Sequence, residues 1–330
     1  MLGDRAVTDL VSVVVPAFNA ETTIDDTLRS VRTQTHVNLE ILVVDDGSHD
    51  RTADIVAAHA HIDKRVKLIR QSNSGVASAR NCGARQASAK LLAFVDADDL
   101  WAPDKIKKQL LVLRAGKSRV GLVYTWYAFI DAENRIFVTY RPMEAGDVTE
   151  RLCRSNFVGN GSSALVTREA FDAAGGFDPT LRSRGAEGCE DWRFYFAVAE
   201  THHFAVVPEV LTGYRQSPSN MSSDARRMLR SSRLVAEWMQ CRRPNFRATI
   251  ACGNVYYGIW LLERAIERRH PVVGARLAWA LLRQEPIVLL RWFIEHIARN
   301  LRNLFCRRSA ALNEKQASPI FVVGEPVVLP

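Results

Sequence analysis

The sequence predicts an α/β protein: a mostly parallel, doubly wound sheet followed by a C-terminal helical extension. Three observations carry that expectation. Short apolar runs alternate with helix-length segments through the first hundred residues, as in βαβ units whose strands are covered on both faces. The chain has 330 residues and is 47% hydrophobic, enough to bury the core of one large or two smaller domains. Charge is also unevenly placed. Residues 1–225 hold 26 Lys and Arg against 29 Asp and Glu, whereas residues 226–308 hold 17 Arg against five Glu. A near-neutral front joined to a basic rear marks two organisational units.

The elements follow in order. "VSVVVP" (11–16) reads as a buried strand, and residues 20–33 as a helix with Ile24, Leu28 and Val31 at helical spacing. "LEILVVDD" (39–46) is a second strand and "HDRTADIVAAHA" (49–60) a second helix. "VKLIRQ" (66–71) and "SGVASARNCGARQASA" (74–89) form a third pair, and "KLLAFVDAD" (90–98) is a fourth strand. From about residue 119 the pattern changes. "RVGLVYTWYAFI" and "NRIFVTY" read as sheet strands joined by the turn-like "DAEN". "SSALVT" (162–167) is a short strand, and "REAFDAA" a helix stopped by Gly175-Gly176. A helix beginning near Glu190 and two short strands around 204–214 complete the front unit.

The rest is read as helical to residue 308. The expected division is therefore 1–220 for the α/β unit, with halves at about 10–115 and 116–220, then 221–308 for a basic helical region. Residues 309–330, with Pro319, Pro326 and Pro330, read as a flexible tail.

Several classes are disfavoured. No apolar run approaches the roughly 18 residues of a membrane-spanning helix, and the N-terminus lacks a signal-peptide pattern. The six cysteines contain no C-x-x-C pair, which argues against structural zinc or a disulfide scaffold and for a reducing, cytoplasmic setting. "DADDLW" is no EF-hand loop, because Trp101 stands where Gly is needed. "AGKS" (115–118) lacks the first Gly of a P-loop, and no G-x-G-x-x-G occurs. No nucleic-acid-binding module is recognisable.

What remains is a set of spaced acids. "KLLAFVDADDLW" runs from an apolar strand straight into Asp96, Asp98 and Asp99. Asp45 and Asp46 end the second strand, and Glu190 and Asp191 open a later helix. Taken singly, each is more economically read as a turn residue, a cap or a complement to a helix dipole. The acids of "VVDDGS" and "FVDADD" both sit at strand ends, where ligands of open α/β sheets bind. Crowded carboxylates repel one another unless a cation, backbone donors or solvent compensates.

The order of the motifs is what ties them together. With "VSVVVPAFNAETTIDDTLRSVRTQT", "LEILVVDDGSHDRT", "NSGVASARNCG", "LLAFVDADD", "GGFDPTL" and "EDW", residues 10–215 resemble the family 2 glycosyltransferases. These are inverting enzymes with the GT-A fold that binds nucleotide-diphospho-sugars. The resemblance implies that Pro16, Ala17, Phe18, Asn19 and Glu21 form the first loop around the nucleotide. Asp46, or second to it Asp45, would hold the base, and Arg80 would lie near base and phosphates. Asp96, Ala97 and Asp98 match the D-x-D motif, with one acid toward the ribose and the other, Asp98, on the metal. Asp191 matches the catalytic base. Contacts to the acceptor are expected from Glu190, Trp192 and "RSNFVGNGSS" (154–163), with Asn160 and Gly161.

The implied cofactor is Mn2+ or Mg2+. A departing nucleoside diphosphate gathers negative charge, which a hard cation on one or two carboxylates offsets. An attacking hydroxyl needs a base on the sugar face opposite the leaving group. The implied partners are a nucleotide-diphospho-sugar donor and a glycan, lipid-linked or other hydroxyl acceptor, in polysaccharide or glycoconjugate biosynthesis. Self-association is left open. Processive synthases of the family carry Q-x-x-R-W; here Arg291-Trp292 follow Val288 instead of Gln, which points to a non-processive enzyme. Two other readings compete: a non-catalytic GT-A scaffold of a glycan assembly complex, and a sugar nucleotidyltransferase.

The stretch 286–308 places Ile287, Leu290, Ile294, Ile297, Leu301 and Leu304 on one stripe, opposite Arg291, Glu295, Arg299 and Arg302. One reading packs this helix on the catalytic domain. The other lays it on anionic lipid at the cytoplasmic membrane face, with Trp292-Phe293 at the headgroup boundary.

Overall fold

The computed structural model describes residues 9–116, 119–217, 220–267, 269–283, 286–290, 292–294 and 319–324. The front of the chain alternates β1 (Val11–Ala17), α1 (Ile24–Arg32), β2 (Leu39–Asp45), α2 (Thr52–Ile62), β3 (Val66–Arg70), α3 (Val76–Gln86) and β4 (Leu91–Phe94). A short β5 (Leu100–Trp101) and α4 (Lys105–Ala115) follow, then β6 (Val120–Ile130), β7 (Ile136–Tyr140), α5 (Thr149–Arg154), β8 (Ala164–Thr167) and α6 (Arg168–Ala173). After them come α7 (Thr180–Ser183), α8 (Glu190–Ala199), β9 (His203–Arg215), α9 (Ala225–Arg242), α10 (Arg247–Glu267) and α11 (Pro271–Leu282).

The strands form one sheet in the order β3-β2-β1-β4-β8-β6-β9-β5, with β7 paired to β6. The first four are parallel, β8 runs against both β4 and β6, and β9 runs parallel to β6. The sheet is thus parallel at one end and mixed at the other. Side-chain alternation explains why both faces are covered. In β1, Val11, Val13 and Val15 enter a core shared with Ile24, Leu28, Val56 and Ile106. Val14, with Val44, Leu92 and Phe94, points into the opposite core, which holds α5, α8 and the C-terminal helices.

The two short strands expected around 204–214 are one strand, β9. Its register against β6 jumps from Val207 to Val210. Pro208, which has no N–H to give a ladder, lies in that jump, so the strand bulges there without ending.

The basic region packs on the front unit. Gly253 of α10 lies so close to α5 that a Cβ there would stand 2.4 Å from the Arg154 carbonyl oxygen. In the helical residues 286–290 and 292–294, the expected stripe is turned outward: Ile287 is 80%, Leu290 63% and Ile294 62% exposed. Leu289 and Trp292 are the buried positions, and Trp292 Nε1 donates to Glu263 Oε1 at 2.9 Å. Trp292 is therefore a packing residue, while Phe293 is half-exposed. Arg291, Glu295, Ile297, Arg299, Leu301, Arg302 and Leu304 lie outside the described residues. Among the described residues no helix is long and apolar enough to cross a membrane.

Part of the expected flexible tail is docked. Phe321 is buried beside Leu100 and Ile130, and its N–H donates to the Asn134 carbonyl at 2.8 Å. A Cβ on Gly213 would meet the Phe321 ring at 3.2 Å, so the β9 glycine makes its socket. Proline spacing had suggested looseness; one large apolar side chain with a matching hole outweighs it.

Candidate active site

The parallel strands end together. Ala17 pairs with Asp45 and Val14 with Phe94, so the loops after β1, β2 and β4 share one edge. Because β8 runs against β4, the loop before β8 returns to that same edge and brings Asn160, Gly161 and Ser162 beside Asp96. These loops, with the start of α8 and one side of α10, enclose a cleft of about 1330 Å³.

The two neighbouring acids of β2 separate. Asp46 lines the cleft, and its carboxylate accepts from Gln71 Nε2 at 2.7 Å, Ser74 N at 2.8 Å and Gly75 N at 2.7 Å. Gly75 has φ +89°, which L side chains rarely adopt, so the loop can wrap the carboxylate. Asp45 is fully buried, accepts from Ser48 N at 2.9 Å and lies 3.3 Å from Arg70 Nε. Of the expected pair, Asp45 is a turn anchor and does not line the cleft.

The first loop divides in the same way. Pro16, Ala17, Phe18 and Asn19 line the cleft, with Phe18 46% exposed. Asn19 holds the opening by accepting from His49 N at 2.9 Å and donating its own N–H to Ser48 Oγ. Glu21 does not line the cleft; its carboxylate accepts from Arg51 N and braces the loop from outside.

At the centre is Arg80 of α3. It is buried, donates to Asp96 Oδ1 at 2.5 Å and lies 5.0 Å over the Phe177 ring. Burial works against its charge, but Asp96, Glu190 and Asp191 outweigh burial and raise its pKa. Gly161 is required beside it: a Cβ would fall 2.5 Å from Arg80 Nη2. Arg80 Nε and Asn160 Nδ2 have no hydrogen-bond partner among the described residues. The cleft floor thus keeps hydrogen-bonding capacity that the fold does not use.

The aspartates after β4 take three roles. Asp96 and Asp98 line the cleft with Ala97 between them. Burial and the charge of Asp96 push Asp98 up to about 7. Asp99 is buried under the cleft and accepts from Ser162 Oγ at 2.5 Å and from Arg215 N at 2.9 Å. Burial, then Asp98 and Asp96, push Asp99 well above the usual carboxylate range. Asp99 fastens the end of β9 to the loop before β8, and Arg215 completes the tie by donating to the Asp98 carbonyl at 2.9 Å.

Asp191 stands in the first turn of α8. Asn156 Nδ2 donates to its Oδ2 at 3.1 Å and Trp192 N to its Oδ1 at 2.7 Å, which fixes the plane of the carboxylate. Burial raises its pKa and Arg80 partly offsets that. Glu190 beside it is buried, accepts from Gly188 N, and is pushed up to about 7 by burial. Trp192, expected as an acceptor contact, is 2% exposed and donates from Nε1 to the Leu152 carbonyl, so it packs α8 on α5 and also lines the cleft. Asn160 and Gly161 lie where expected, at the cleft floor.

The structure also brings in residues that the motifs do not name individually. Asn156 orients Asp191, Ser162 and Arg215 hold the aspartate loop, and α10 lends Tyr256, Tyr257, Trp260 and Arg264 to the wall. The only sequence sign of the last group is the aromatic run "NVYYGIWLLER" (254–264).

The implied divalent cation can be tested against these side chains. No group of three or more His, Cys, Asp or Glu among the described residues is arranged to hold a metal. Asp96 and Asp98 instead offer two oxygen ligands on one loop whose mutual repulsion a cation would relieve. That set fits a hard ion completed by phosphate oxygens and water.

A nucleotide-sized cleft at the carboxyl edge of a half-parallel, half-mixed sheet is the GT-A architecture. Residues 12–175 match the family model described as glycosyl transferase family 2. The chain belongs to that family. It is 37% identical over 123 residues to the Escherichia coli UDP-Glc:alpha-D-GlcNAc-diphosphoundecaprenol beta-1,3-glucosyltransferase WfgD, covering 37% of this chain and 47% of that protein. It is 29% identical over 223 residues to the uncharacterized glycosyltransferase EpsJ of Bacillus subtilis (strain 168), covering 64% of this chain and 63% of EpsJ. The first curated relatives are matched over 34–63% of their own length.

Two solved structures share the fold. S. aureus TarS in complex with UDP-GlcNAc superposes with a TM-score of 0.56 at 19% identity, covering 69% of this chain and 65% of that one. The mannosyltransferase PcManGT from Pyrobaculum calidifontis, in complex with GDP-Man and Mn2+, does so with 0.52 at 19% identity, covering 89% and 86%.

Proposed function

We propose that this protein transfers a sugar from a nucleotide-diphospho-sugar to an acceptor hydroxyl, with inversion at the transferred carbon, in glycan or polysaccharide biosynthesis. The observation that carries the reading is the convergence of Asp46, Arg80, Asp96, Asp98 and Asp191 on one cleft, although they come from four separate segments. The relatives support it: WfgD is named for a UDP-glucose donor, and TarS and PcManGT were solved with UDP-GlcNAc and GDP-Man.

Each residue has a task in that reaction. The loop 16–19 and Asp46 enclose the nucleoside, Asp46 with its carboxylate already held rigid. Arg80 balances the diphosphate and Asp96. Asp96 and Asp98 would hold a Mn2+ or Mg2+ ion, which supplies positive charge against the leaving diphosphate. Asp191 accepts the acceptor's hydroxyl proton as the new bond from that oxygen to the anomeric carbon forms. The bond from that carbon to the diphosphate oxygen breaks, and its electron pair leaves with the nucleoside diphosphate. A buried carboxylate with a raised pKa is the stronger proton acceptor. A single base, with no second nucleophile to form a glycosyl-enzyme, makes the displacement in-line and the outcome inverted.

The basic rear with its outward apolar stripe at Ile287, Leu290 and Ile294 supports peripheral attachment to an anionic cytoplasmic membrane face. Flotation with phosphatidylglycerol vesicles, full chain against a chain ending at residue 285, tests it. Equal flotation retires that role for the stripe. The scaffold reading is disfavoured by the unspent donors of the cleft, and the nucleotidyltransferase reading by the lack of a Gly-rich opening loop.

The test of the central reading is calorimetric titration of UDP, GDP, CDP and dTDP with and without Mn2+, followed by a thermal-shift screen of their sugar conjugates. Tight binding of one nucleotide that strengthens with Mn2+ is expected. Binding of none in either condition removes the reading.

A further inference from the structure

Residues 319–324 do not line the cleft, yet they pack against the tie that holds its aspartate loop. That tie runs through Arg215, which is 5% exposed. Its backbone N–H donates to the Asp99 carboxylate and its Nε to the Asp98 carbonyl, each at 2.9 Å. The rest of the guanidinium is spent on the turn between β6 and β7. Nη1 donates to the carbonyls of Asp131 at 2.8 Å and Ala132 at 3.1 Å, and Nη2 to Asn134 Oδ1 at 2.7 Å. Where the turn sits therefore decides where the guanidinium sits, and with it the backbone at Asp98.

The turn has bonds of its own: the Asp131 carboxylate accepts from Glu133 N and Arg135 N. Those fix its shape but not its place over the sheet. The β6–β7 register shifts between Phe129 and Ile130, just before the turn. Its place is set from outside by the C-terminal segment. Phe321 N–H donates to the Asn134 carbonyl and Ile136 N–H to the Pro319 carbonyl, both at 2.8 Å, and Ile320 bridges Arg135. The Phe321 side chain packs on Leu100 and Ile130, the chain neighbours of Asp99 and Asp131. A Cβ on Gly213, two residues before Arg215, would meet its ring at 3.2 Å. One ring thus sits beside all three parts of the tie. Ile320 and Val322 are exposed, so Phe321 is the anchor. At the far end, a Cβ on Gly324 would stand 3.0 Å from Pro103 Cγ, which seats the segment on the connection from β5 to α4.

Two carboxylates make a weak cation site unless their loop is ordered in advance, because an ion that must also order the loop binds less tightly. Resting on the reading that Asp96 and Asp98 hold a divalent cation, we propose that residues 319–324 are a clasp that positions this loop. Phe321 seats the turn, Asn134 passes that placement to Arg215, and Arg215 fixes the backbone at Asp98. Phe321 and Asn134 are positioning residues: they act through Arg215.

The test compares Phe321→Ala, Phe321→Leu and Asn134→Gly with the parent, each in the full chain. Asn134 has φ +63°, so glycine keeps the turn and removes only the side-chain amide. Mn2+ alone is titrated and followed by loss of the free-ion electron paramagnetic resonance signal. Hydrogen exchange is measured in peptides covering 96–101 and, for reference, 39–46. UDP and GDP titrated without metal report on the donor end. In Phe321→Ala and Asn134→Gly, Mn2+ affinity should fall roughly tenfold, as it does when the outer supports of metal ligands are removed. Exchange should rise at 96–101 and stay unchanged at 39–46, and metal-free nucleotide binding should match the parent. Phe321→Leu, which still fills the socket, should recover most of both effects. If Mn2+ affinity and exchange at 96–101 stay at parent values, Phe321 only anchors the tail; the clasp is overturned and the cation reading stands. Equal loosening at 39–46 also overturns it. A parent that takes up no Mn2+, with exchange at 96–101 still raised in the variants, loses the cation reading and keeps the clasp.

Discussion

The two ends of the cleft hold their side chains by different means. At the sheet end carboxylates are held by hydrogen-bond donors: three on Asp46, two on Asp99, two on Asp191 and Arg80 on Asp96. At the α10 end, ring stacking and the close approach of glycines set the shape. A hydrogen-bond network admits one geometry, whereas ring packing tolerates substitution at graded cost. The difference teaches that the sheet end fixes its side chains in one arrangement, whereas the shape of the other end can be altered through a single helix.

The sharpest way to break that comparison is Asp191→Asn. Turnover should fall roughly 10²–10⁴-fold, the usual contribution of a general base, while nucleotide affinity stays near that of the parent. Full turnover in a coupled assay for nucleoside diphosphate release would remove the base from Asp191.

Next in size is an effect on the parallel half of the sheet, at the edge away from the cleft. Glu40, near the start of β2, is buried; burial alone would raise its pKa, but Ser12, Lys67 and two bonds from Ser88 outweigh it and hold it at about 2 against a reference of 4.5. A depressed folded-state pKa stabilises above the unfolded value and is lost as pH falls through the folded one. The protein should therefore lose on the order of 3 kcal/mol between about pH 5 and pH 2 from this group. Urea unfolding of the parent and of Glu40→Gln over that window should show the slope in the parent and its reduction in the variant.

Smaller is Asp98→Asn. Nucleotide binding in Mn2+ should weaken by roughly ten- to a hundredfold, as loss of a hydrogen-bonded or metal-held charge does. Binding without metal should change much less. Equal losses in both titrations would detach Asp98 from the cation.

The smallest expected effect probes the other end. Gly253→Ala forces α10 off α5 at a cost of about 1–3 kcal/mol, read in thermal unfolding. It should disturb acceptor use more than donor binding, and the reverse pattern would mean that α10 shapes the donor site.

Much of the fold could be read in the residues. The alternation of "VSVVVP" and "LEILVVDD" with helical segments predicts the parallel half, and β1, β2, β3 and β4 are that half. The mixed half was less legible, because Pro208 reads as a strand end when it is a bulge. The docking of Phe321 depends on a hole made by Gly213, more than a hundred residues away. The candidate site shows the same division. Asp46, Arg80, Asp96, Asp98, Asp191 and Trp192 line one cleft, while Asp45 and Glu21 are structural supports.

The sequence by itself determined which acids the chain carries, their order, and that strands deliver them to one edge of a sheet. That information is local, since strand and helix periods are written in neighbouring residues. Only the tertiary structure decided which of two adjacent aspartates faces the cleft, and that Asp99 grips Arg215, 116 residues further on. It also decided that α10 closes the far wall. Those outcomes depend on pairings between distant segments, and no short stretch of sequence records who its partner will be.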